Sequence, residues 1–217
     1  KSSKTNPDAM AANVRSVVNY GKDHPSGEIQ TIQHVENITI EDCKSYYNAY
    51  FRPNVSYLVI VGDITLADAK PLVEKYFAQW EKAEVPTHSY SVPQKPSQTE
   101  VSFVHKAGAV QSVVSITNPI NLKLGDEDEI AAKVMNSILG GGVFSGRLMQ
   151  NLREDKAYTY GARSSLSAGK HFGTFSAGAS VRNEVTDSAV HEFMYELRRM
   201  VTEKVTEDEL NLIKNSM

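Results

Sequence analysis

The stretch that most constrains this chain is Leu139 to Gly161, LGGGVFSGRLMQNLREDKAYTYG. Three consecutive glycines, Gly140, Gly141 and Gly142, follow a strongly patterned helical segment. A short amphipathic segment carrying Arg147 and Arg153 comes next, and the chain then turns into a strand that opens with Tyr158 and Tyr160. Glycine lets a backbone sit close to another group. An arginine and a strand-borne tyrosine offer donors to a carbonyl or an anion. No other part of the sequence concentrates backbone freedom and polar donors in this way.

The flanking elements are read for how they place that stretch. Ile130, Val134, Met135, Ile138 and Leu139 have helical spacing behind an acidic turn, Asp126 to Glu129, and Gly140 is the expected cap. Strands are expected at Glu100 to His105 and Gln111 to Thr117. Two more, antiparallel, are expected near Tyr158 to Leu166 and Phe172 to Ser180. A long amphipathic helix runs from about Thr186 to Glu203, and Thr206-x-x-Glu209 is a capping box for a last helix. The order strand, strand, helix, helix, repeated once, predicts an α+β fold rather than strict βαβ alternation.

Upstream, Asn6-Pro7-Asp8 starts one helix, and Thr39 with Asp42 caps another that Pro53 stops. Val55 to Val61, VSYLVIV, reads as a strand buried on both faces. Thr65 opens a helix through Trp80, with Pro71 implying a regular start near Asp68. The proline-rich stretch 81–98 is the expected linker, dividing the chain into 1–80 and 99–217.

A net charge of -3 argues against a dominant nucleic-acid surface. No apolar run approaches the roughly 18 residues of a membrane span. The single cysteine, Cys43, excludes an internal disulfide and falls on an apolar helical stripe, where a structural role is the default. The chain opens on Lys1 and stops inside a patterned helix, as a piece of a longer protein would.

Six histidines raise the question of a metal. Neither His-Glu-x-x-His nor His-x-x-Glu-His occurs, and no two histidines lie at ligand spacing. Gly141 to Arg147 has the G-x-x-x-x-G spacing of a phosphate loop, but Arg147-Leu148 stands where Lys-Ser or Lys-Thr is needed, and the loop follows a helix. Ser145 is not in a G-x-S-x-G elbow. That leaves Arg153 with Tyr158 and Tyr160, the tyrosines expected on one strand face. The plain alternative is that Arg153 pairs with Glu154 or Asp155 while the tyrosines fill core.

These residues resemble the C-terminal-domain signature of the pitrilysin/insulinase family of zinc peptidases. That family includes the mitochondrial processing peptidase and the core subunits of the cytochrome bc1 complex. The signature has a Gly-Gly pair, a Ser-Arg-Leu step, Leu-Arg-Glu and a tyrosine seven residues after the arginine. Here Leu152-Arg153-Glu154 is present and Tyr160 is the seventh residue after Arg153. YYNAYFRPN with its apolar run and Gly62-Asp63, the helix from Thr65 to Trp80, and VTEDEL also match in order.

The resemblance implies a two-layer sandwich of mainly antiparallel sheet with helices on one face, in a clam-shaped peptidase of two halves. It implies zinc in the full-length protein, held by ligands outside this fragment, with none in the fragment. Arg153 and Tyr160 would contact the substrate and stabilise its oxyanion. Gly140 to Gly142 and Tyr158 would be substrate-binding. The partners implied are a peptide or unfolded protein, the missing N-terminal domain and the second half of the shell. For bacterial relatives the compartment implied is the periplasm or cell envelope. A non-catalytic scaffold or processing partner of the same fold is the second possibility, and a small α+β binding module outside the family the third.

Overall fold

The computed structural model describes residues 5–94, 96–142 and 145–216. The chain divides into two compact units, Gln30–Tyr90 and the remainder, Lys1–Ile29 with Ser91–Met217.

The unit Gln30–Tyr90 is helical. It holds α2 (Ile32–Glu36), α3 (Ile40–Tyr50) and α4 (Leu66–Phe77). The expected capping box starts α3: Asp42 N–H donates to Thr39 Oγ1, and the Asp42 carboxylate accepts from Thr39 N–H. Helix α4 begins at Leu66 and carries Pro71 inside it, so the regular helix starts before Asp68. The run Val55 to Val61 corrects the sequence reading. It stays outside any ladder, with Tyr57 95% and Val61 93% exposed. A strand needs a partner for its N–H and C=O groups, and none pairs with this run among the described residues. Cys43 is exposed rather than packed.

The second unit carries the site. Helix α1 (Pro7–Tyr20) starts as expected, with Asn6 Oδ1 accepting from the N–H groups of Asp8 and Ala9. Strand β1 (Gln111–Ile120) follows, and then α5 (Glu129–Asn136), which runs directly into a wider π-helical turn, Ser137–Gly141. Gly140 therefore lies inside a helical turn and does not cap it. A second helical segment begins as α6 (Arg147–Met149) and continues π-helically through Gln150–Asp155. Strands β2 (Thr159–Ser167) and β3 (Gly173–Arg182), then α7 (Thr186–Thr202) and α8 (Glu207–Lys214), complete the unit. Glu100 to His105 forms no strand. Like Val55 to Val61, it has extended, apolar character without a pairing partner among the described residues.

The sheet is antiparallel in the order β1-β3-β2, so β2 lies at an edge. Its two faces differ in chemistry. Val114, Ala162, Ala177 and Val181 face the helices, where they meet Leu139, Leu148, Leu152 and Phe193. Phe193, Leu148 and Leu152 are wholly buried. The opposite face carries Thr117, Thr174 and Ser176. Here α1 docks, with Asn19 Nδ2 donating to Thr117 Oγ1 at 2.7 Å and Tyr20 hydroxyl bonded to Thr174 Oγ1 at 2.6 Å.

Two features tie the helices together. Gly140 packs so tightly that a Cβ there would meet Leu148 Cδ1 and Ser164 N at 2.9 Å. Arg147 is 93% buried by its 7% exposure and makes a bidentate pair with Glu209 of α8, Nε to Oε1 at 2.6 Å and Nη2 to Oε2 at 2.9 Å. Glu209 Oε2 also accepts from Thr206 N–H, so the capping carboxylate doubles as the arginine's partner.

Those donors hold the Glu209 carboxyl at about 2 against an ordinary 4.5; the Arg147 hydrogen bond is the main cause, burial opposes it, and the Thr206 N–H adds to it. A lowered folded value means the pair's contribution is complete above the unfolded value and is lost as pH falls through the folded one. Glu209→Gln is therefore expected to cost about 1–3 kcal/mol at neutral pH. Urea denaturation of wild type and variant should show this difference shrinking as pH drops from about 4.5 towards 2; a pH-independent difference would contradict the pairing. Gly140→Ala should destabilise by about 1–3 kcal/mol in the same assay, because backbone at Ser164 must shift. An unchanged midpoint would refute the close approach.

Candidate functional site

The segment from Arg147 to Tyr160 is built from the inside out. Leu148 and Leu152, four apart, pin its helical part to the sheet. The same helix turns Arg147 and Asn151, also four apart, towards α7 and α8. At its end the carbonyls of Asn151, Arg153 and Leu152 accept from Lys156, Ala157 and Tyr158 N–H respectively. Ala157 takes a left-handed φ of 53° within this turn, which throws the chain from helix into β2.

Arg153 and Tyr160 stand on either side of that turn. Arg153 is half-buried on the helical segment and pairs with Glu154 at 3.5 Å. Asp155 instead accepts from Gln150 at 2.9 Å. Tyr160 is 91% exposed on the edge strand.

Tyr158 behaves differently, since it packs against the hydrophobic core just before β2 begins. The expectation that both tyrosines share one strand face is therefore corrected. Tyr158 precedes β2, so strand alternation does not govern it, and within β2 a β-bulge follows: Thr159 pairs with Val181, yet Ala162, three residues on, pairs with Ala179, only two back. The extra residue breaks alternation. Thr159 Oγ1 fixes the bulge by donating to Ser180 O at 2.7 Å and accepting from Gly161 N–H at 3.1 Å.

Of the three glycines, Gly140 is buried against Ser164 and Leu148. Gly141 sits against Asn136, where a Cβ would meet Nδ2 at 2.4 Å. Gly142 ends the turn, its N–H donating to Ser137 O at 3.3 Å. These contacts give Gly140 and Gly141 a packing reason to lack a side chain. Val143 and Phe144, within the stretch read as a loop, lie outside the described residues.

Two arrangements escaped the sequence reading. One is the Arg147–Glu209 pair, 62 residues apart. The other is a buried network in which Asn151 Nδ2 donates to Glu196 Oε1 at 2.7 Å and Glu192 Oε2 at 3.0 Å, while Arg199 Nη1 donates to both Glu196 oxygens. Glu196 is 2% exposed. The available signal was a glutamate and an asparagine at positions that helical spacing assigns to the inner face.

A zinc does not fit the residues present. Among the described residues no three of His, Cys, Asp or Glu converge as a metal site. His24 accepts Ser26 N–H on Nδ1 and stacks on Tyr20, and His191 is an exposed neighbour of Glu192. No helix among the described residues is long and apolar enough to cross a membrane.

Comparison with known proteins places this geometry. The chain is 26% identical over 160 residues to the probable inactive metalloprotease YmfF of Bacillus subtilis, covering 74% of this chain and 36% of that protein. It is 25% identical over 218 residues to the uncharacterized zinc protease YmxG of the same organism, covering 97% of this chain and 51% of that one. It thus spans about half the length of these relatives, or less. The crystal structure of a peptidase M16 inactive domain from Pseudomonas fluorescens superposes with a TM-score of 0.86 at 22% identity, over 99% of this chain and 52% of that one, and so shares the α+β fold. Residues 37–217 match the family described as peptidase M16 inactive domain, and the chain belongs to that family.

Proposed function

We propose that this chain is the part of a zinc-dependent metallo-endopeptidase that binds substrate and stabilises the transition state, without holding the metal. The observation that carries this reading is the placement of Arg153 and Tyr160. A tight turn sets the two on adjoining elements, and the tyrosine stands on a bulged edge strand with its ring almost wholly in solvent. A phenol held out in this way is available as a donor.

The chain's own groups then have defined tasks. The Tyr160 hydroxyl donates to a carbonyl oxygen of the bound peptide. The Arg153 guanidinium adds positive charge and further N–H donors as that oxygen becomes an oxyanion, and such donors matter most where charge develops. Leu148, Leu152 and the turn at Ala157 fix where the two donors sit. Catalytic zinc would supply Lewis-acid chemistry from residues outside this chain. Zinc in the full-length protein is supported by relatives named as zinc proteases.

A second reading has its own support. YmfF is named as probably inactive, and the matched family is described as an inactive domain. In that case the chain belongs to a non-catalytic scaffold or processing partner of the same fold.

One measurement tests the division of labour and a second separates the readings. The 217-residue chain, stripped with chelator and reloaded with zinc, should retain no stoichiometric metal; one zinc per chain would overturn the assignment of ligands elsewhere. In the full-length protein with its partners, Arg153→Ala should lower kcat/KM on a peptide substrate by about ten- to a thousandfold, the range for losing one oxyanion donor. Tyr160→Phe should act in the same direction. Unchanged kinetics in folded variants would favour the scaffold.

A further inference from the structure

We propose that the groove between α1 and the outer face of the sheet is a carboxylate-binding site, one that receives the free end or an acidic side chain of a peptide. It is a cavity of about 270 Å³, a little below the roughly 300 Å³ at which sites for whole drug-sized ligands begin. Its size suits an end group. The choice of a peptide as the carrier rests on the peptidase role already proposed.

The sheet supplies hydroxyls. Ser165 pairs with Ser176, and Ser167 with Thr174, across β2 and β3. Residues two apart on a strand share a face, so these four side chains lie together on the face where α1 docks. Two of them are already engaged: Thr174 Oγ1 is bonded to the Tyr20 hydroxyl, and Ser167 Oγ donates to Thr174 O at 3.4 Å. The Ser165 and Ser176 hydroxyls make no hydrogen bond among the described residues. Directly opposed residues have Cβ atoms about 4.5–5.5 Å apart, so both hydroxyls can donate to one carboxylate.

Helix α1 supplies the charge. Arg15 and Asn19 lie a turn apart on it and line the groove together. Asn19 is committed to Thr117. Arg15 is half-buried and makes no hydrogen bond or ion pair among the described residues. It is the one charged residue in the lining, which holds no carboxylate among the described residues. A guanidinium in that position presents a planar fork that a carboxylate matches.

Other ligand classes fit less well. A metal cation would meet a positive charge and find no acidic ligand. A neutral ligand would leave the half-buried charge without a counter-charge. A phosphate group carries about 1.5–2 negative charges, more than one arginine balances. The groove also lies along the strand that bears Tyr160. Tyr160 and Ser165 are separated by about 16 Å of β2, at about 3.3 Å per residue. An extended peptide whose carbonyl meets Tyr160 thus brings a carboxylate about five residues away to Ser165.

The test is isothermal titration of the full-length protein, kept in chelator so that no peptide is cleaved. The probes are acetyl-Ala-Ala-Ala with a free carboxyl end, acetyl-Ala-Glu-Ala-amide, acetyl-Ala-Ala-Ala-amide and inorganic phosphate. The two carboxylate peptides are expected to bind about five- to thirtyfold more tightly than the neutral one. The tighter of the two identifies the source of the carboxylate. Arg15→Gln should erase this advantage and leave the neutral peptide unaffected. Ser165→Ala combined with Ser176→Ala should reduce it about two- to fivefold. None of the three side chains has a partner among the described residues whose loss would unfold the variant. Equal affinity for acid and amide peptides would overturn the proposal, as would an advantage that survives Arg15→Gln. No binding at millimolar peptide would do the same, and so would phosphate that outbinds both carboxylates. The readout uses neither Arg153, Tyr160 nor zinc, so its failure is distinct from failure of the proposed peptidase role.

Discussion

The close contact between the helical layer and the small residues of the sheet governs the site-bearing unit. Ala162 and Ala177 on the sheet face large side chains, Leu139, Leu148, Leu152 and Phe193, on the helices. Small against large lets two layers approach and still fill the space between them. Gly140 carries the same logic to its limit, since backbone meets backbone and side chain with no room for a methyl group. The π-helical widening at Ser137–Gly141 and Gln150–Asp155 lies in the two segments that make this contact. The polypeptide is thus anchored by apolar burial on one side of residues 147–155 and by ionic and hydrogen-bonded contacts on the other.

That double anchoring bears on the role proposed for Arg153 and Tyr160. Leu148 and Leu152 hold the segment from below, and Arg147 and Asn151 hold it from the side by way of Glu209 and Glu196. Arg153 and Tyr160 sit at the free end, joined by a turn whose three successive N–H groups are all bonded back to the helix. Donors that stabilise a developing charge are effective when they need not reorganise. Tyr160 is held by the strand bulge that Thr159 locks, while Arg153 stays half-buried beside Glu154. The backbone positions are fixed, and the long side chains supply the reach.

Much of this was legible in the residues, and the boundary between legible and not has a physical cause. Local chemistry read well. Asn6, Thr39 and Thr206 cap the helices they were expected to cap, because a cap is decided within four residues. The strands at Gln111, Tyr158 and Phe172 lie within one to three residues of their expected ends. Pairing was not legible. VSYLVIV and the stretch from Glu100 have the composition of strands, but a ladder requires a partner that composition does not provide. The bulge at Thr159 to Ala162 was invisible for the same reason, since it is a mismatch in count between two strands. For the site, Arg153 and Tyr160 were named through the resemblance to the zinc-peptidase signature, whereas Tyr158 packs on the core because it lies before β2, beyond the reach of strand alternation.

The polar contacts under the helices show why the candidate site and its surroundings differ in legibility. Glu209 was recognised as the last member of a capping box, a role four residues long. Its second role, clamping Arg147 from 62 residues away, follows only once α8 is folded against α6. The cap orients the carboxylate, and the orientation makes the bidentate pair possible. The pair in turn holds Arg147 in a buried polar layer that also contains Asn151 and Glu196. A short-range rule thereby builds a long-range contact, which creates chemistry that neither residue's local sequence describes.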